Sequence, residues 1–352
     1  MLSTKFSNLK KTLMRIAIVK LSALGDIIHA MVVLQFIKQH LPNATIDWVV
    51  EEDFKDILSG NPDIDKIHTV NIKKAKKNQS FGLLLQTFRR LKKLKKYDIV
   101  IDMQGLIKSA IIARIVPSDR TFGFDKNSLR EAFAAYFYTD TCFINYAENV
   151  IERNVFIVSS ALALSVTRDD ILNKQVFLHS DRGVEMQFLQ NNKPNIAFVP
   201  GASFASKIYP VEKFGQLALA LDANITLVWG SEKEKIMAEK IRQIAPNGTL
   251  INPLSLGELK TFIGQMNLVI GGDTGPTHMA WALNIPSITL FGSTPGYRNT
   301  YATKINRIIE SHSRVDANKI NKNDDSIQSI KVGEIVNMAK KLLFLTDGLN
   351  LK

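Results

Sequence analysis

The first half of the chain alternates short apolar runs with longer amphipathic stretches. The apolar runs are rich in Ile and Val, which is typical of strands buried in a parallel sheet. The predicted strands are 15–20, 46–50, 67–72 and 99–101. Between them, residues 27–40 and 81–94 carry apolar side chains at helical spacing. Strands that alternate with helices in this way predict a doubly wound α/β domain.

The same alternation restarts near Asn195 and continues through the second half of the chain. The predicted strands there are 195–199, 225–229, 268–270 and 288–291, and the predicted helices are 211–221, 232–244, 256–266, one after Thr277, and 332–345. The polar stretch Ser165–Lys174 is the predicted linker. We therefore predict two Rossmann-like domains, residues 1–170 and 171–330, followed by a C-terminal helical segment, residues 331–352.

The composition of the 352 residues is that of a globular protein, with 45% hydrophobic and 22% charged side chains. Cys142 is the only cysteine, which excludes disulfide bonds within the chain and thiolate metal sites. The six histidines show no spacing typical of zinc ligands. No apolar stretch approaches the roughly 20 residues that cross a bilayer. Residues 1–14 also lack the apolar run of a secretory signal.

The formal net charge of +12 indicates an anionic partner or surface. Residues 73–96 contribute many of the bases and contain no acid, and on their helical part the bases face away from the apolar stripe. This segment, Lys73–Lys96, predicts contact with an anionic membrane surface or a polyphosphorylated acceptor. A solvated helix face is the alternative. Nucleic acid is disfavoured, because no aromatic residues are interleaved with the bases.

The run Val269–His278 carries the clearest chemical signal. An apolar strand ends in two glycines, and small and hydroxyl residues then lead into a helix. The start of a helix offers backbone N–H groups to an anion, here beside Asp273 and His278. A carboxylate repels a phosphate, so we expect Asp273 to accept from a hydroxyl or a backbone amide. We interpret the run as the diphosphate and sugar site of a nucleotide-sugar enzyme. The alternative is an ordinary turn with Asp273 as the helix N-cap and Gly275 giving room to the backbone.

The first predicted strand leads into a turn with a single glycine, Gly25. A dinucleotide-binding G-x-G-x-x-G would stand here, so nicotinamide chemistry is disfavoured. The turn instead places an acid, Asp26, at the carboxyl end of a strand, where open α/β sheets bind ligands. A helix N-cap is the competing interpretation of Asp26.

Two loops of the second half have the residue types of a phosphate and ribose site. Residues 200–210 combine hydroxyl groups, among them Ser203, with Lys207, a mobile positive charge suited to a phosphate. The strand ending at Trp229 is followed by Glu232 and Glu234. A carboxylate there either binds ribose hydroxyls or favours the start of a helix.

Together these segments resemble the ADP-heptose:lipopolysaccharide heptosyltransferases, GT-B glycosyltransferases of Gram-negative inner-core assembly. The resemblance runs from Met14 to the end of the chain. The family's K-x-S-x-x-G-D-x-x-H and D-T-G-x-x-H motifs are matched in full. The matching residues are Lys20, Ser22, Gly25, Asp26, His29, Asp273, Thr274, Gly275 and His278. Residues 102–110 and 123–125, with Arg130-Glu131 and the Asp-Thr-Gly form of the late motif, are similar to the heptosyltransferase I branch.

This resemblance implies an α/β GT-B fold, with two Rossmann-like doubly wound domains facing a central cleft and the segment 331–352 packing back on the N-terminal domain. It implies inverting, metal-independent transfer of L-glycero-D-manno-heptose from ADP-heptose to a Kdo residue of Kdo-lipid A. No cofactor is expected. The implied location is the cytoplasm, peripheral to the cytoplasmic face of the inner membrane.

The family's functional residues are carried over by position. The catalytic base falls on Asp26. The nucleotide-sugar contacts fall on Ser203, Lys207, Glu234, Leu254, Asp273, Thr274, Gly275 and His278. The candidate acceptor contacts are Lys108, Arg120, Arg130 and Arg153. Three positions depart from the family pattern. Ala202 replaces one hydroxyl of a threonine pair, Tyr209 replaces a tryptophan, and Leu254 stands where a methionine packs on adenine.

Three alternatives stay open on the sequence. Heptosyltransferase II or III would use the same donor and a heptose acceptor. A nucleotide-sugar epimerase on the same two-domain scaffold would act without an acceptor. A sugar- or anion-binding module would use the basic segment alone, but this alternative leaves Asp26 and the motif from Asp273 to His278 unexplained.

Overall fold

The computed structural model describes residues 13–179, 193–317 and 319–349. The chain divides into two compact units, Met1–Phe177 and Leu178–Lys352, and each unit contains its own six-stranded sheet. The predicted α/β class is therefore confirmed. The predicted domain boundary after residue 170 stays a prediction.

The sheet of the first unit is parallel in every strand pair and has the order β3-β2-β1-β4-β5-β6. Its strands are β1 Arg15–Val19, β2 Thr45–Glu51, β3 Lys66–Val70, β4 Tyr97–Asp102, β5 Ser118–Phe124 and β6 Asp140–Cys142. The central strands β1 and β4 are almost wholly buried, because helices cover both faces of a parallel sheet. This burial explains why their sequences are continuous apolar runs.

Helices connect these strands. They are α1 Leu24–Met31, α2 Val33–His40, α3 Lys55–Leu58, α4 Ile72–Lys77, α5 Phe81–Lys92, α6 Ile107–Ile115, α7 Val150–Leu162 and α8 Arg168–Leu172. The helix predicted over 27–40 is two helices that meet at Val32, whose N–H bonds to Ala30 instead of continuing the α-helical pattern. The predicted linker, Ser165–Lys174, contains the short helix α8, which Thr167 and Asp170 cap reciprocally.

The sheet of the second unit repeats the same topology, with the order β12-β11-β10-β7-β8-β9. Its strands are β7 Asn195–Val199, β8 Asn224–Leu227, β9 Gly248–Leu250, β10 Leu268–Gly272, β11 Ser287–Phe291 and β12 Asn306–Glu310. When the strands are listed from the opposite edge, their order is the same as in the first unit, and it is the order of the dinucleotide-binding fold. The strand order reverses between β1 and β4 in one unit and between β7 and β10 in the other.

The helices of the second unit cover both faces of its sheet. They are α9 Val211–Ala220, α10 Glu232–Ile244, α11 Leu256–Gly264, α12 Gly275–Ala282, α13 Gly296–Asn299 and α14 Val332–Leu349. The last helix, α14, packs against α9, β10 and β11, and its Ile335, Ala339 and Leu342 are buried in the core of this unit. The predicted packing of 331–352 on the N-terminal domain stays a prediction.

Candidate active site

Two loops of the second unit meet at the carboxyl edge of its sheet. One follows β7 and contains Ser203 and Lys207, and the other follows β10 and leads through Thr274 into α12. These strands are the neighbours between which the strand order reverses. Open α/β sheets bind ligands at this switch point. The topology therefore favours a ligand site where three predicted nucleotide-sugar contacts lie, namely Ser203, Lys207 and Thr274.

The buried carboxylate of Asp273 lies at the centre of this arrangement. The ammonium of Lys207 donates to Oδ2 at 2.6 Å. His278 Nε2 lies 3.0 Å from Oδ1, and it is the donor because an ionised carboxylate can only accept. The hydroxyl of Thr294 and the amide of Asn299 each donate to Oδ2 at 3.0 Å. The predicted hydroxyl donor to Asp273 is therefore confirmed, and three further donors accompany it.

These donors decide the protonation state of Asp273. Burial by itself raises the pKa of a carboxyl group, because water no longer solvates the negative charge. The hydrogen bond from His278 and the positive charge of Lys207 outweigh burial and hold the pKa of Asp273 well below its usual range. The ionised carboxylate consequently ties the loop after β7 to the start of α12.

Two glycines allow this close approach. A side chain at Gly272 would place its Cβ 2.7 Å from the backbone oxygen of Lys207. A side chain at Gly271 would place its Cβ 2.7 Å from Cβ of Val199. Both distances are too short for a Cβ atom in contact with another carbon or with a backbone oxygen, so only glycine fits at each position. Packing around the site therefore requires the two glycines that precede Asp273.

The helix α12 begins at this site without a side-chain cap. Its N-cap residue is Thr274, so the alternative that made Asp273 the N-cap is wrong. The side chain of Thr274 makes no capping hydrogen bond, and Pro276 occupies the first turn. The first turn of a helix carries N–H groups with no partner inside the helix. The start of α12 can therefore donate hydrogen bonds to an anion.

Three further predicted nucleotide-sugar contacts lie in the same unit, Ser203 and Leu254 in loops and Glu234 in the first turn of α10. Ser203 is exposed, and Leu254 is half-buried ahead of α11. The carboxylate of Glu234 accepts from the N–H of Gly230 at 2.8 Å and packs so tightly on Gly201 that any side chain there would overlap it. Glu234 therefore joins the loops that follow β7 and β8. The nucleotide contacts of all three residues stay predictions.

In the first unit, Asp26 lies in the first turn of α1, just after the loop that follows β1. Its exposed carboxylate accepts from the N–H of Ala23 at 3.2 Å. Ala23 is the N-cap, and Asp26 is the third residue of the helix, so the interpretation of Asp26 as the N-cap is wrong. One carboxylate oxygen closes the helix turn, and exposure leaves the group open to a substrate. This geometry suits a base that is held in place by the backbone.

Gln104 has no role in the sequence-based predictions, yet it holds the loop that precedes Asp26. Its side-chain oxygen accepts from the N–H groups of Leu21 and Ser22, each at 3.1 Å. The loop after β4 therefore fixes the conformation of the loop after β1, from which α1 begins.

A buried carboxylate holds the loop after β4 in turn. Asp102, the last residue of β4, accepts from the N–H of Gln104 and from the hydroxyl of Tyr138, each at 2.8 Å. Burial raises the pKa of Asp102, although these donors oppose the rise. Lys20 Nζ adds a further link by donating to the backbone oxygen of Met103 at 3.0 Å. Lys20, the first residue of the K-x-S-x-x-G-D-x-x-H motif, therefore links the end of β1 to the loop after β4.

We expect Gln104→Leu to lower kcat of the transfer reaction by about tenfold or more, with little change in the KM for the donor. The substitution removes the acceptor for two backbone N–H groups, which costs about 1–3 kcal/mol when a buried donor is left unpaired. Steady-state kinetics with each substrate varied measures the split. Gln104→Glu keeps the accepting oxygen and is the matched control, expected to retain most of kcat. Equal losses in both variants would contradict the positioning role.

The four candidate acceptor residues lie in different environments. The guanidinium of Arg153 is buried, 7% exposed, and donates to three backbone oxygens of the first unit. Arg120 pairs with Asp140 at 3.1 Å. Lys108 is half-buried, and Arg130 is exposed. Arg153 therefore stabilises loops of the first unit, whereas the other three place their charges nearer to solvent. Contact with an acceptor stays a prediction for all four.

Within residues 13–179, 193–317 and 319–349, no group of three or more His, Cys, Asp or Glu side chains could hold a metal ion. No helix in the described part of the chain is both long enough and apolar enough to span a bilayer.

Two compact units, each with a six-stranded sheet of parallel strands in the dinucleotide-fold order, are the architecture of the GT-B fold. A solved structure with this fold is an E. coli heptosyltransferase with ADP-2-deoxy-2-fluoro heptose. It aligns with a TM-score of 0.74 and 24% identity over 93% of this chain and 99% of that chain. The predicted GT-B fold class is therefore confirmed.

Sequence comparison defines the family. The model of "Glycosyltransferase family 9 (heptosyltransferase)" matches residues 85–326. Lipopolysaccharide heptosyltransferase 1 of Campylobacter coli is 40% identical over 94% of this chain and 99% of its own length. The protein of the same name from Pseudomonas aeruginosa is 30% identical over 82% of this chain and 81% of its own length. The chain belongs to glycosyltransferase family 9, the heptosyltransferases, and the predicted enzyme class is confirmed.

Proposed function

We propose that this chain transfers L-glycero-D-manno-heptose from ADP-heptose to a Kdo residue of Kdo-lipid A, with inversion at the anomeric carbon. The observation that carries the proposal is the junction at Asp273, which brings Lys207, His278 and the start of α12 together at a switch point. The chain is 40% and 30% identical in sequence to two proteins named lipopolysaccharide heptosyltransferase 1. This similarity supports a Kdo acceptor over the heptose acceptor of heptosyltransferases II and III.

On the donor side, cations and N–H groups stabilise the charge that develops on the departing ADP. Lys207 has three N–H donors, so its ammonium can remain on Asp273 and still donate to a phosphate oxygen. The hydroxyl of Ser203 and the N–H groups around Thr274 and Gly275 complete the diphosphate contacts. Asp273 itself acts by holding Lys207 and the start of α12 in position to donate these hydrogen bonds.

The same unit accounts for the rest of the nucleotide. The carboxylate of Glu234 has one oxygen on the N–H of Gly230, and its other lone pairs can accept from ribose hydroxyls. Leu254, half-buried on its loop, supplies an apolar surface for the adenine ring. His278 is held by Asp273 and supports the sugar and diphosphate part of the site.

On the acceptor side, Asp26 removes the proton from the Kdo hydroxyl as that oxygen attacks the anomeric carbon of heptose. The bond from the acceptor oxygen to the anomeric carbon forms while the bond to the ADP oxygen breaks. The proton ends on Asp26, and the electron pair leaves with ADP. This single displacement inverts the anomeric centre and requires neither a cofactor nor a metal ion.

The acceptor is an anionic lipid, and the charge distribution of the chain suits it. Lys108, Arg120 and Arg130 carry positive charge in the first unit, and the segment Lys73–Lys96 adds a strongly basic surface. We infer that the enzyme works in the cytoplasm, bound peripherally to the anionic cytoplasmic face of the inner membrane.

The direct test is to incubate the purified protein with ADP-heptose and Kdo-lipid A and to measure product masses. We expect Kdo-lipid A to gain the mass of one heptose. Transfer only to an acceptor that already carries heptose would indicate a type II or III enzyme. Conversion of ADP-heptose without an acceptor would indicate an epimerase. Either outcome would reject the proposed function.

A further inference from the structure

The helix α5 exposes two apolar side chains to solvent. Phe81 is 76% exposed and Leu85 is 38% exposed. They are four residues apart, so they lie on the same side of the helix. Farther along the same helix, Thr87 and Leu91 are buried and Phe88 packs against the core of the first unit. The exposed pair is therefore surplus to the core of the first unit.

Exposed basic side chains lie along the same elements as this pair, on α4, α5 and the following turn. The exposed bases are Lys73, Lys74, Lys76, Lys77, Arg89, Arg90, Lys92, Lys93, Lys95 and Lys96. Only two of them form an ion pair within the described ranges: Lys73 pairs with Asp53, and Lys96 pairs with Asp119. The surface formed by α4 and α5 consequently carries a large uncompensated positive charge.

We propose that the α4–α5 surface is a membrane anchor in which Phe81 and Leu85 insert into the bilayer interface while the surrounding bases contact anionic headgroups. This inference rests on the proposed function for its setting at the inner membrane, and it extends that proposal. Charge attraction alone holds a protein near the surface, whereas inserted apolar side chains bury area that salt does not screen.

A bilayer surface is the partner that fits both the exposed apolar pair and the bases of α4 and α5. Lys and Arg side chains can lay their alkyl stems beside inserted apolar groups while their charges remain at the headgroups. A second copy of the chain is a poor occupant, since docking through this face would bring two uncompensated basic surfaces together. Insertion of Phe81 and Leu85 requires no rearrangement, because both side chains already protrude.

The test is flotation of the full-length protein with vesicles that contain no acceptor lipid. We expect binding to vesicles of phosphatidylethanolamine and phosphatidylglycerol and little binding to phosphatidylcholine vesicles. The double variant Phe81→Ser/Leu85→Ser should bind the anionic vesicles at least about tenfold more weakly, because it loses the two apolar side chains that insert into the bilayer. The difference between this variant and the wild type should be largest at high salt, where the contribution of the bases is screened.

A matched control exists in the second unit. Phe344 and Leu345 on α14 are also exposed, at 80% and 50%, and their double substitution by Ser should leave vesicle binding unchanged. Circular dichroism of both double variants checks that they fold. Wild-type binding by Phe81→Ser/Leu85→Ser, or an equal loss in the Phe344/Leu345 variant, would overturn the proposal. Concentration-dependent dimerisation that the Phe81/Leu85 substitutions abolish, without any change in vesicle binding, would also overturn it and would identify a protein interface.

The activity assay separates this proposal from the proposed function. With Kdo-lipid A dispersed in detergent, the Phe81→Ser/Leu85→Ser variant should transfer heptose at the wild-type rate, because neither residue belongs to the active site. A wild-type enzyme that binds vesicles but transfers nothing would reject the function and leave the anchor intact. A slower variant in detergent would place these residues in the reaction and overturn their role as an anchor.

Discussion

Replacing Asp26 with Asn is expected to lower the turnover of heptose transfer by about 10²-fold or more and to leave ADP-heptose binding intact. Asn keeps an oxygen that can accept from the N–H of Ala23, so the first turn of α1 stays closed. It cannot take the proton of the acceptor hydroxyl, and a positioned base contributes roughly 10²–10⁴ in rate. Single-turnover kinetics with saturating substrates measures the chemical step, and titration calorimetry measures donor affinity.

The chain offers a matched control for the capping role of Asp26. Asp170 is likewise the third residue of a helix, α8, and its carboxylate accepts from the N–H of the N-cap residue Thr167 at 2.7 Å. Asp170→Asn should leave turnover unchanged. If Asp26→Asn behaves like Asp170→Asn, the carboxylate of Asp26 serves only to cap its helix, and the assignment of the base is wrong.

The central strands were predictable because their signal is local. Every residue of β7 is buried, and β1 is buried after its first residue, so each appears in the sequence as an unbroken apolar run. Two of the edge strands, β6 and β9, lack such a run. β6 and β9 have three residues each and are only partly buried, so nothing in their composition separates them from loops. Their pairing depends on neighbours that the sequence alone does not place.

The donor side of the site was predictable for a related reason. Asp273 and His278 lie five positions apart in one motif, and Lys207 follows the neighbouring strand of the same sheet. Thr294 and Asn299 were missed, although they also follow a strand, β11, whose carboxyl end lies at the same edge. A systematic search of the residues after every parallel strand would have included both.

Gln104 could not be found in this way. Its partners are Leu21 and Ser22, which are distant in sequence and become neighbours only because β4 pairs with β1. The environment of Arg153 could not be predicted from the sequence either. Its buried guanidinium donates to backbone oxygens of its own unit, and its contact with an acceptor stays a prediction. Neither environment follows from residue type or local pattern.

The second large effect concerns stability. We expect Asp273→Asn to lower the free energy of unfolding of the second unit by about 3–5 kcal/mol, the usual result of removing one partner of a buried ion pair. The substitution leaves the ammonium of Lys207 next to a neutral amide in a buried position. It also weakens the hold of Asp273 on His278, so transfer should slow as well. Urea unfolding followed by tryptophan fluorescence measures the loss, since Trp229 and Trp281 lie in this unit.

The pH dependence and a matched variant identify the cause of that loss. The folded-state pKa of Asp273 lies well below the ordinary value of 3.8, so its stabilising effect is fully present above that value and is lost as the pH falls further. The difference in stability between wild type and Asp273→Asn should therefore shrink below about pH 4. Thr294→Val removes one hydrogen bond but leaves the charge, and it should cost only about 1 kcal/mol. If Thr294→Val cost as much as Asp273→Asn at neutral pH, packing and not the buried charge would hold the two loops together.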